Sequence, residues 1–271
     1  MSAATTTPAP APTRASARSG PTFGRLLAAE WTKLTSLRSP WWIVGATVLV
    51  AFAITHLSAQ ASAVDPVFYP LDSLSSGLVL AQVGPLVLGV LVGASEFRTG
   101  AFRTTFTLVP RRWPALVAQA VVLTAFCLGL AVVTTAASVV GILPAAASRG
   151  VPVDLTSGDT PEVLRGMTLF VVGLALFGFA VGALMRRTVP ALVTAVSVVL
   201  VLPVVLLMAA DLATDPLAPA PAESAPAAAE LRVIDTVVAV SPGGAAQHLT
   251  IPASAGPVEG APDLGPVGGG L

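Results

Sequence analysis

"GASEFRTGAFRTTFTLVPRR", Gly93 to Arg112, places four arginines and one glutamate between two long apolar stretches. The chain around it has 271 residues, 54% of them hydrophobic and only 10% charged. Soluble domains usually carry about 25% charged residues. Upstream lies an apolar run at 74–94, and downstream one at 114–143. Each is long enough to cross a bilayer as a helix that closes its own backbone hydrogen bonds, as lipid requires. The charged stretch is therefore an aqueous loop between two membrane spans.

Working outward, three more spans are expected near 41–57, 167–185 and 189–210, giving an all-α, polytopic membrane domain over 41–210. The run at 114–143 exceeds what a ~30 Å hydrocarbon core needs, so it must tilt, bend or protrude. Before the first span, "TFGRLLAAEWTKLTSLRS" (22–39) repeats Phe23, Leu26, Leu27, Trp31 and Leu34 at helical spacing. With Arg25, Lys33 and Arg38 it predicts an amphipathic elbow helix on the membrane surface. The Ala/Thr/Pro/Ser-rich residues 1–21 are expected to be disordered, and 211–271 to form an Ala/Pro/Gly-rich tail. "LSAQASA" (57–63) resembles a signal-peptide cleavage site, but about forty residues precede its apolar run, too many for a signal peptide.

Orientation follows from arginine and lysine. Arg14, Arg18, Arg25, Lys33, Arg38, Arg98, Arg103, Arg111, Arg112, Arg186 and Arg187 fall on one side of five alternating spans. They are eleven of the fourteen basic residues. That side is expected to be cytoplasmic, with the N-terminus inside, in the cell membrane. Twelve of the fourteen acidic residues fall opposite.

The spans offer little chemistry. They contain no Asp, Glu, Lys or Arg, which leaves no base for a Ser or Thr nucleophile and no relay for ion-coupled transport. Gln82 and Gln119 read as interhelical hydrogen-bonding groups. The single cysteine, Cys127, excludes an intrachain disulfide and a cysteine-based metal site. The single lysine, Lys33, follows "EWT" with no glycine loop, so the chain holds no P-loop. No catalytic, cofactor or metal residues are expected, and no nucleic-acid partner. Gly89 with Gly93, and Gly178 with Gly182, have the small-xxx-small spacing of helix-packing faces. Pro85 and Pro203 should bend their spans. If the protein does work, its energy comes from a partner.

Two motifs carry a resemblance. "LLAAEWTKLTSLRSPWW" (26–42), with Glu30, Trp31, Lys33 and Arg38, resembles the approach to the first span in permease subunits of type-2 ABC exporters, particularly actinobacterial ones. "ASEFRTGAFRTTFTLVPRRWPALVAQAVV" (94–122) is similar to the family's first internal junction, and "AVSPGGAAQHLT" (239–250) faintly resembles its last external segment. The resemblance implies a permease paired as a homodimer or with a second permease in the lipid bilayer. A separate ATPase would bind ATP and magnesium. It further implies that Glu96 and Arg98 meet charges on the ATPase and that Gly100 lets the backbone turn. Arg103, Thr104 and Thr105 would begin a short helix that Pro110 ends, with Arg111 and Arg112 at the headgroups. For the arginines, simple positive-inside anchoring stays open. The family pattern has six spans, and Ile251–Leu271 contains no run of eighteen apolar residues. That departure keeps a second class open, a non-transporting membrane interaction protein with a regulatory or immunity role.

Overall fold

A computed structural model describes residues 22–64, 68–99, 113–205 and 208, without the side chains of 96–99. The described residues form helices and turns, with no strand among them. Among the described residues, five segments are long and apolar enough to cross a membrane: Arg38–Ser62, Pro70–Ser95, Trp113–Arg149, Thr160–Met185 and Thr188–Val205.

Helix α1 (Phe23–Ser36) and helix α2 (Arg38–Ser62) are separated by one extended residue, Leu37. The cause is Pro40. Its ring clashes with the carbonyl four residues back, at Ser36, where α1 ends. Trp41 then fixes the corner, because its indole N–H donates to the Thr35 carbonyl at 3.0 Å and satisfies one orphan of the α1 C-terminus. Helix α2 continues past the expected 57 through the cleavage-like "LSAQAS", where Ala59 is fully buried.

The second apolar run is not one straight helix. After a 3₁₀ turn, Pro70–Ser73, it forms a short α3 (Leu78–Ala81), breaks at Gln82, and resumes as α4 (Val83–Thr99). The last residue before the break, Ala81, lies four residues before Pro85, as Ser36 does before Pro40. Gln82 does not bond across helices as expected: its amide donates to the Val79 carbonyl at 2.6 Å, within its own segment. Helix α5 (Trp113–Arg149) has 37 residues, about 55 Å at ~1.5 Å per residue. It runs through Pro144 and stops at Gly150, whose φ of +65° suits glycine. In the loop beyond, the Asp154 carboxylate accepts the Thr156 N–H and hydroxyl at 2.9 and 2.7 Å. Those bonds, the backbone one first, hold its carboxyl below the ordinary value.

Helix α6 (Thr160–Met185) ends at Arg186, in the left-handed region with φ +56°. Helix α7 (Thr188–Val196) widens into a π turn, Ser197–Val201, where the Leu202 N–H reaches Ser197 O. Pro203 sits just beyond, and the widened turn takes its ring away from the Val199 carbonyl. The second span is the most enclosed: 61% of an 18-residue apolar stretch of it is buried, against 17% for the fifth. Its Leu74, Leu78, Leu86 and Val90 share a core with Met167, Phe170 and Leu174 of α6.

Candidate functional site

Helix α4 carries the second span out of this core to Ser95 and Thr99, and α5 begins at the exposed Trp113. Glu96 and Arg98 lie on the last turns of α4, and their side chains are outside the described residues. So are Gly100, Arg103, Thr104, Thr105, Pro110, Arg111 and Arg112. The geometry on the page is the frame that holds both ends of this junction.

The first part of that frame is a seam between α4 and α6, the most extensive helix contact among the described residues. A Cβ on Gly89 would strike the Ala175 carbonyl oxygen, and one on Gly93 the Phe179 carbonyl oxygen. From the other side, a Cβ on Gly178 would strike Leu86 O, and one on Gly182 would lie 2.6 Å from Val90 O. Positions rise together along the two helices, so they run parallel, backbone against backbone. The two glycine pairs singled out from spacing are thus faces of one interface. Spacing marks such faces but does not say which meets which.

The second part is an aromatic corner. Trp31 of α1 and Trp41 of α2 both stand edge-on to Phe126 of α5, with centroids 6.4 and 5.8 Å away. Leu34, the one buried residue of α1, packs with Leu88, Leu123 and Phe126. Glu30 accepts Lys33 Nζ at 3.3 Å one turn along the same helix. Arg38 is exposed at the first position of α2. Helix α1 is therefore bolted to the start of α5, beside the end of α4.

Polar contacts farther along were not legible as pairs. Thr55 Oγ1 donates to Ser138 Oγ at 3.4 Å, and His56 Nδ1 lies 3.1 Å from the Gly141 carbonyl oxygen while its ring stacks on Phe52. Cys127 is buried among apolar side chains. Among the described residues, no group of three His, Cys, Asp or Glu is placed to hold a metal ion. Comparison with protein-family models, curated proteins and solved structures finds no match to this chain.

Proposed function

We propose that this chain is the membrane-spanning permease subunit of an ATP-driven exporter, with hydrolysis on a separate ATPase. The carrying observation is the charge pattern of Glu96–Arg112, which follows directly from the most enclosed helix of the bundle. Positive-inside anchoring needs arginine there, but it does not need an acid such as Glu96. A force applied at this junction enters α4, and the glycine seam hands it to α6, because neither backbone can slide without the other.

The same reading gives α1 the role of an elbow on the cytoplasmic leaflet. Arg38 at the start of α2 opposes the helix dipole, so its position calls for another cause. Anionic headgroups and a cytoplasmic N-terminus supply one.

The test is co-expression of this chain with a candidate ABC-type ATPase and co-purification of the two. Glu96→Ala with Arg103→Ala is expected to cut recovery of the ATPase and ATP turnover at least tenfold. Undiminished association and turnover would remove the coupling role.

A further inference from the structure

A pocket of about 240 Å³ opens between α1, the start of α2, the end of α4 and the first turns of α5. Its walls are mostly apolar, with Leu34, Leu37, Leu88 and Leu123 among them, and Ser95 and Gln119 add polar groups. Glu30 and Lys33 form its charged end. The two differ in placement: the Glu30 side chain is 18% exposed and that of Lys33 44%. The acid is the more enclosed of the two.

An ionised carboxylate has about four acceptor sites and, when mostly buried, loses free energy for those left empty. Among the described residues, Lys33 Nζ is the one partner of the Glu30 carboxylate, and 3.3 Å is long beside the ~2.7–2.9 Å of a strong charge-assisted bond. An anionic occupant would meet this acid. A neutral apolar one would leave it unsatisfied. A protonated amine on an apolar body fits both the acid and the walls.

We propose that the pocket binds one amphipathic primary amine, its ammonium on Glu30 and its apolar part against Leu34, Leu88 and Leu123. The volume falls below the ~300–1,000 Å³ of drug-sized sites, so it takes one hydrocarbon chain or small ring system. The amine belongs either to a free amphiphile or to a lipid headgroup. This site stands apart from the export reading and survives its failure.

The full chain in phosphatidylcholine nanodiscs, titrated with dodecylamine or dodecanol and read by native mass spectrometry, tests it. One saturable dodecylamine per chain is expected, with dodecanol at least tenfold weaker. Glu30→Gln should weaken the amine at least tenfold and leave the alcohol unchanged. Lys33→Gln frees the carboxylate and should tighten the amine about threefold. Adding phosphatidylethanolamine separates the sources: a retained lipid that displaces dodecylamine and is lost in E30Q marks the headgroup, and undiminished dodecylamine binding marks the free amphiphile. Equal binding of amine and alcohol, an unchanged E30Q, or a K33Q that weakens the amine as E30Q does would overturn the proposal.

Discussion

Two helix pairs make the largest contacts, α4 with α6 and α2 with α5. In the first, four glycines bring backbone onto backbone, and a Cβ at Gly89, Gly93 or Gly178 has no room at all. In the second, the matching glycine is Gly141, whose Cβ would lie 3.2 Å from Phe52 O and 3.3 Å from His56 N. Side chains supply the rest there, through Thr55 with Ser138 and His56 with the Gly141 carbonyl. Between helices this apolar, lipid offers no hydrophobic reward for association. Close packing or hydrogen bonding must supply it, and the molecule uses one for each pair. A packed backbone seam has one register and resists sliding. A seam of a few hydrogen bonds tolerates a few tenths of an ångström. The rigid one belongs to α4, which leads to the Glu96–Arg112 junction.

The strongest way to break this contrast is to fill the tight seam. Gly89→Ala or Gly178→Ala should each cost about 1–3 kcal/mol in the denaturant unfolding of the purified chain, as overpacked sites do. That loss comes in spite of the ~1 kcal/mol that alanine gains over glycine in a helix. Gly129→Ala and Gly173→Ala, where a Cβ meets nothing within 4 Å, are the controls and should gain up to about 1 kcal/mol. Equal responses at Gly89 and Gly129 would mean the seam contributes nothing. Gly141→Ala should fall between them, within about 1 kcal/mol of zero, because a modest shift of α2 relieves its contact.

The helical class and the five apolar segments were legible because lipid leaves no other way to satisfy a spanning backbone. Pro85 was legible as a bend, but the helix breaks upstream of it, after Ala81, since the clash is with the carbonyl four residues earlier; Pro40 acts in the same way after Ser36 and was not singled out. Pro144, by contrast, ends no helix. The apolar run ends at Leu143, yet α5 continues to Arg149, carried by Ala145, Ala146 and Ala147 until Gly150 ends it. Glu30 and Lys33 stood out in the sequence as residues of an elbow motif. Their pocket did not, because Leu88 and Leu123 come from helices far along the chain. Periodicity assigns a face to each helix, but the partner of that face is a property of the packed bundle.

The hydrogen-bonded seam can be tested with smaller effects. Thr55→Val keeps the shape and removes the donor to Ser138, and should cost about 0.6 kcal/mol, the usual worth of such a bond between membrane helices. No loss would mean that the 3.4 Å contact is only proximity. One turn before Ser138 on α5, Thr134 is 1% exposed. Among the described residues, its Oγ1 is the one buried side-chain polar atom without a hydrogen-bond partner. Burying a hydroxyl with no partner costs about 1–3 kcal/mol in proteins, and valine fills the same volume at nearly the same helix propensity. Thr134→Val should therefore leave stability unchanged or raise it by up to about 1 kcal/mol, opposite in sign to Thr55→Val on the facing helix. A loss at Thr134 would show that its hydroxyl bonds the Leu130 carbonyl one turn back, and the polar seam would then reach a full turn farther along α5.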